Sequence, residues 1–144
     1  VPAELRIVGL EGADDGPIKY MGLYDKRDPG QLQTYAGQYA WADLLIHPAR
    51  FEAAGIVPGE AAAFGVPTIT NAAGGLATTV ADGISGVVLP QASPALTYVT
   101  AIQALVQDPA RYAALAASTR HRYEQHLNWP AAGKLVDAAL QQLV

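Results

Sequence analysis

Short apolar runs alternate along this chain with stretches whose apolar residues recur every three or four positions. "LRIVGL" (5–10) is short and β-branched, as a buried parallel strand tends to be, and Gly9 punctuates its end. "PGQLQTYAGQYAWA" (29–42) spaces Leu32, Tyr35, Ala36 and Tyr39 at helical steps, and "DLLIHP" (43–48) is a second apolar strand stopped by Pro48. "PGEAAAFG" (58–65) reads as a short helix with Pro58 as its first residue and Gly65 at its end. The alternation repeats in "PTIT" (67–70, strand), "GLATTVADG" (75–83, helix) and "GVVL" (86–89, strand). From residue 92 onward the pattern is helical: "SPALTYVTAIQALVQ", then "DPARYAALAASTRHRYEQHL" with Asp108 as N-cap and Pro109 at the first helical position, then "NWPAAGKLVDAALQQLV" to the end of the chain. Strands alternating with helices predict an α/β fold, a doubly wound parallel sheet covered on both faces, followed by C-terminal helices.

Composition narrows this picture. With 144 residues, 51% of them hydrophobic and 15% charged, the chain suffices for one sizeable core; no low-complexity linker or internal repeat divides it, so residues 1–144 read as one domain. The net charge of −4 and the scattering of nine basic residues argue against nucleic acid as a partner. The absence of cysteine excludes disulfides and thiolate metal sites. No apolar run approaches the ~20 residues needed to span a bilayer, so the expectation is a soluble, cytoplasmic protein.

In doubly wound sheets ligands bind at the carboxyl ends of strands, where loops and helix starts gather. The segment "RFEAAGIVPGEAAAFGVPTIT" (50–70) follows such a strand end and carries two carboxylates, Glu52 and Glu60, in an otherwise nearly apolar run. Glu52 is expected at the mouth of the site and Glu60 in the first helical turn. The peptide N–H groups around Gly55, Ile56 and Val57 are expected to lie at the positive end of that helix, where they can cradle a phosphate, with Gly55 allowing close approach. A carboxylate just beyond such a cradle can accept hydrogen bonds from ribose hydroxyls, which would account for Glu60. An acidic residue in a first helical turn also stabilises the helix with no ligand at all.

The other candidates carry less. "GLEG" (9–12) lacks the dinucleotide fingerprint, and no phosphate-binding G-x-x-x-x-G-K-[ST] loop is present. "HRYEQH" (121–126) misses the zinc-helix spacing and reads as solvated surface; Asp14-Asp15 and Asp25 to Asp28 read as solvated loops. His47, beside Pro48, reads as a packed strand-end histidine, and Trp41 and Trp129 as core or packing anchors.

Glu52, Gly55, Glu60, Gly65-x-Pro67, Gly74-Gly75 and Asp82-Gly83-x-x-Gly86 together form a specific pattern. It resembles the donor-binding domain of retaining glycosyltransferases built from two Rossmann-like domains (GT-B fold, glycosyl transferases group 1), which include bacterial sugar transferases and relatives of glycogen synthase. Weaker likenesses reach both ends: "LRIVGLEG" is similar to the family's strand and glycine loop, "YMGLYD" to its short strand before a helix, and "HLNWPAAGKLV" to its closing aromatic segment.

The resemblance implies transfer of a sugar from a nucleoside-diphosphate sugar with retention of anomeric configuration. It implies Glu52 near the transferred sugar and its leaving phosphate, Glu60 on the ribose, Gly55, Ile56 and Val57 at the diphosphate, and Leu23 and Tyr24 near the nucleobase. No metal and no other cofactor are implied, because helix dipoles and basic side chains do a cation's work. The implied partners are a nucleotide sugar and a glycan, lipid or small-molecule acceptor, with a membrane surface as a peripheral contact of a longer protein.

This sequence departs from the family at Ala54, often aromatic, at Gly59, often larger and apolar, and near Thr78, where an acid is common. The family's domain opens with one more strand and helix bearing an Arg and a Lys, and an acceptor domain precedes it. The chain is therefore expected to be a fragment, inactive alone. Two other readings are a nucleotide-sugar epimerase, which needs further acid/base residues near Glu52, and a non-catalytic sugar-nucleotide-binding module.

Overall fold

A computed structural model describes residues 2–142. The described residues fall into two compact units, Val1–Trp41 and Ala42–Val144.

The first unit holds β1 (Leu5–Val8), β2 (Ile18–Gly22) and α1 (Pro29–Trp41). The two strands pair in parallel, Leu5 opposite Ile18 and Ile7 opposite Tyr20. β1 stops two residues before the predicted end because Gly9 turns the backbone to φ +92°. The inner side of α1 is aromatic: Tyr39 is buried, its hydroxyl lies 2.7 Å from that of Tyr35, and the Tyr35 ring meets Tyr24 at 5.8 Å. Trp41 is 43% exposed rather than a core residue, and the Arg6 guanidinium lies 3.6 Å above its ring.

The second unit runs β3 (Leu45–His47), α2 (Ile56–Ala63), β4 (Thr68–Asn71), α3 (Leu76–Thr79), β5 (Gly86–Leu89), α4 (Ala95–Val106), α5 (Pro109–His126) and α6 (Trp129–Gln141). Its sheet is parallel in the order β3-β4-β5, with Ile46 opposite Ile69 and Ile69 opposite Val87. β4 lies at the centre, and all four of its residues are buried. Its Ile69 joins Leu89, Tyr98, Leu105 and Leu115 in the main apolar cluster, so α4 and α5 pack on the sheet through that cluster. Both units thus contain the parallel pairing that the strand–helix alternation predicts.

Three expectations are corrected. α2 begins at Ile56 rather than Pro58, so Pro58 is the third helical residue and Glu60 the fifth, beyond the first turn. Proline fits there because none of the first four N–H groups of a helix has an intrahelical partner to lose. The predicted helix over 75–83 is a single turn, since Val80 already has an extended backbone. Trp129 is not a core residue: it is 90% exposed, and α6 contains no buried residue. The last two positions of the helix predicted to the chain end, 143 and 144, lie outside the described residues. Among the described residues no helix is long and apolar enough to cross a membrane.

Candidate functional site at the carboxyl ends of β3 and β4

The loop carrying Glu52 leaves β3 at His47 and is pinned from below by β4. The His47 carbonyl accepts from the Thr70 hydroxyl at 2.8 Å and from the Ala49 amide at 3.1 Å. Asn71, the last residue of β4, holds Ala49 through both of its backbone polar groups: Oδ1 accepts from Ala49 N at 3.0 Å and Nδ2 donates to Ala49 O at 2.6 Å. The buried Tyr98 hydroxyl donates to the same Oδ1 at 3.2 Å. A buried amide side chain with this many partners behaves as a rivet, because every one of its bonds is costly to lose away from water.

The Gly74-Gly75 pair seats the other half of the loop. Gly75 N donates to the Glu52 carbonyl at 3.0 Å, and the Thr79 hydroxyl donates to the Ala54 carbonyl at 2.6 Å. A Cβ on Gly74 would overlap the Glu52 carbonyl oxygen, and one on Gly75 would overlap that of Ala53. These glycines are therefore required by the close approach of two backbones. Gly55 has φ +70°, a left-handed conformation, and a Cβ there would lie 2.9 Å from Leu76 Cδ2. Its requirement comes from the turn and from packing on α3.

Glu52 folds back onto its own loop. Oε1 accepts from the amides of Gly55 at 3.2 Å and Ala54 at 3.3 Å, while Oε2 lies 3.6 Å from His47 Nε2. The Gly55 amide first, then that of Ala54, and more weakly His47 hold its pKa below the ordinary glutamate value. A carboxylate depressed in this way contributes stability above its unfolded pKa, and that contribution is lost as pH falls through the lower folded value.

One consequence changes the expected cradle: the Gly55 amide is already engaged by Glu52. α2 has Gly55 as N-cap with no side-chain cap, and Pro58 has no N–H, so Ile56 and Val57 are the residues whose amides open the first turn.

The structure thus brings Glu52, Gly55, Ile56 and Val57 together on one loop and helix start, with Glu60 one turn further along the same helix. Leu23 and Tyr24 belong to the other unit, just after β2. Leu23 is 73% exposed, and the Tyr24 hydroxyl accepts from Gln38 Nε2 at 3.3 Å.

Sequence reasoning missed Asn71, Thr79 and Arg122. Arg122 donates to the carbonyls of Thr78 at 2.7 Å and Thr79 at 3.4 Å, closing the end of α3, although it lies in the run read as solvated surface. Its neighbours His121, Glu124 and His126 are exposed as expected. A signal for Asn71 was present: a polar residue at the end of a fully buried strand, directly before the Gly-Gly pair, calls for several partners.

The chain matches the family model described as glycosyl transferases group 1 over residues 22–122. It belongs to the glycosyl transferases group 1. Among curated relatives it is 33% identical over 132 residues to the D-inositol 3-phosphate glycosyltransferase of Xylanimonas cellulosilytica, an alignment covering 83% of this chain and 31% of that protein. Among solved structures it superposes on the sucrose-phosphate synthase of Thermosynechococcus elongatus with a TM-score of 0.73 and 30% identity, covering 89% of this chain and 30% of that one. HepE of Anabaena, solved with UDP-glucose, shares the fold at a TM-score of 0.70 and 21% identity, covering 89% of this chain and 33% of HepE. This group 1 chain therefore has the α/β architecture of GT-B glycosyltransferases, and its match spans about a third of the length of such relatives.

Proposed function

We propose that this chain supplies the donor-binding half of a retaining glycosyltransferase, which takes a sugar from a nucleoside-diphosphate sugar. The observation that carries the reading is the start of α2: a left-handed glycine N-cap without a side-chain cap, at the carboxyl end of a parallel strand, in a chain of the group 1 family. The amides of Ile56 and Val57 receive the diphosphate there, where the helix dipole favours the negative charge that grows on it as the glycosidic bond breaks. Glu52, four residues before the helix and tethered to the loop amides of Ala54 and Gly55, faces the sugar and its leaving phosphate. Glu60 receives the ribose hydroxyls. No metal is needed, since the leaving charge meets peptide dipoles. The acceptor, a glycan, lipid or small molecule, is held by parts of a longer protein.

The test is calorimetric or NMR titration of the chain with UDP, GDP and ADP. HepE, of the same fold, is solved with UDP-glucose, which makes UDP the first ligand to try. Saturable binding of one nucleotide, abolished by Glu60→Ala in a protein that melts like the wild type, supports the reading. Binding equal in wild type and Glu60→Ala removes Glu60 from the site. Binding that leaves the amide resonances of Ile56 and Val57 unmoved removes α2 as the phosphate cradle.

A further inference from the structure

The His47 imidazole has no part in the proposed donor site, yet its surroundings are unusual. Its backbone is fixed by the Thr70 hydroxyl and the Ala49 amide. The side chain is 22% exposed, and Nε2 itself is buried with no hydrogen-bond partner at bonding distance. A buried ring nitrogen left in this state is costly, so a nearby group able to complete it is favoured. Such a group is present: Glu52 Oε2 lies 3.6 Å away, and a closure of about 0.6 Å brings it to the usual length of an N–H···O bond. The carboxylate's other oxygen is already held by two amides at 3.2 and 3.3 Å, so Oε2 is positioned by little more than rotation about one bond.

The geometry points to His47 as a positioning residue for Glu52: its Nε2–H donates to Oε2 while the loop amides of Ala54 and Gly55 hold Oε1. The imidazole fixes the plane of the carboxylate from the strand side. Since Glu52 engages the Gly55 amide directly before α2, His47 also steadies the turn from which the helix starts. What Glu52 faces when a donor binds rests on the proposed function; the His47–Glu52 link does not.

The charged neighbours are few enough to control for. Arg50 on the same loop is exposed, β4 presents Thr70 and Asn71, and α2 carries Glu60. The experiment records the ring nitrogen resonances of His47, which report its tautomer, in the whole chain and in Glu52→Ala and Glu60→Ala. The expected result is a neutral ring carrying its proton on Nε2, with resonances that move in Glu52→Ala and hold in Glu60→Ala. Unmoved ring resonances in Glu52→Ala, or an equal change in Glu60→Ala, overturn the proposal.

A second readout follows the backbone amide resonances of Ala54 and Gly55. They are expected to move in His47→Leu and to return in His47→Gln, whose terminal amide reaches the place of Nε2. Equal spectra for the Leu and Gln variants overturn the link; if His47→Leu does not fold, the ring resonances decide. Neither readout needs a nucleotide, so a failure of this link and a failure of the donor reading are told apart.

Discussion

The starts of α2 and α5 solve the same problem in opposite ways. α5 is opened by Asp108, whose side chain accepts from Arg111 N at 3.0 Å, with Pro109 in the first helical position; α6 repeats the device through Asn128 and Ala131 N at 2.9 Å. α2 is opened by a left-handed glycine with no side chain to offer. Its nearest carboxylate, Glu52, stands three residues before that glycine and bonds the amides of Ala54 and Gly55, which precede the helix. In α5 and α6 the cap engages one N-terminal amide and proline removes another, so fewer remain at the helix start. α2 has no side-chain cap on the amides of Ile56 and Val57, which the proposed cradle uses, and its entry is held in place by neighbouring backbone. Stability at α5 is therefore local, whereas at α2 it is borrowed from β4 and α3.

The largest test of that contrast is Gly75→Ala. Gly75 has φ −76°, which alanine adopts freely, so the substitution acts through the overlap of its Cβ with the Ala53 carbonyl oxygen and nothing else. Displacing that carbonyl also breaks the bond from Gly75 N to the Glu52 carbonyl. We expect a loss of about 3 kcal/mol, read as a drop of roughly 10 °C in Tm, with nucleotide binding abolished. A variant that melts like the wild type would mean that the loop does not rest on the Gly-Gly pair.

Asp108→Ala should have a smaller and purely structural effect. Loss of the side-chain cap costs about 1 kcal/mol, measured by chemical or thermal unfolding, and leaves nucleotide affinity unchanged. Affinity falling in proportion to stability would erase the distinction between the two helix starts.

These two helices also mark what was legible in the sequence. Asp108-Pro109 announces its helix because cap and proline act through atoms of adjacent residues. Pro58 looks like the same signal and misleads by two positions: proline is tolerated anywhere among the first helical residues, and the true start is set by the left-handed Gly55, which no spacing rule reveals. The alternation of strands and helices was readable because it reflects burial period, and it fixed the parallel pairing of β3, β4 and β5. The Gly74-Gly75 pair was visible as a motif, but its physical reason, two backbones in contact, exists only after β4 and the loop have met. Asn71 and His47 belong to the same class: their partners are Ala49, Tyr98 and Glu52, brought together by tertiary packing. Trp129 errs in the other direction, since a large aromatic suggests burial and yet stands almost wholly in solvent.

The smallest effect is expected inside α2 itself. Gly59 is the fourth helical residue, and a Cβ there would meet nothing within 4 Å. Alanine removes the backbone freedom that glycine retains in the unfolded chain, so Gly59→Ala should stabilise by roughly 0.5–1 kcal/mol, seen as a small rise in Tm. The substitution leaves Gly55, Ile56 and Val57 untouched, so nucleotide affinity should stay level or improve slightly as the first turn becomes less prone to fray. A fall in Tm would show that residues 56–59 are not helical in solution. In that case α2 would begin later, nearer the position that Pro58 suggests, and the amides of Ile56 and Val57 would lose the helix dipole on which the proposed phosphate cradle depends.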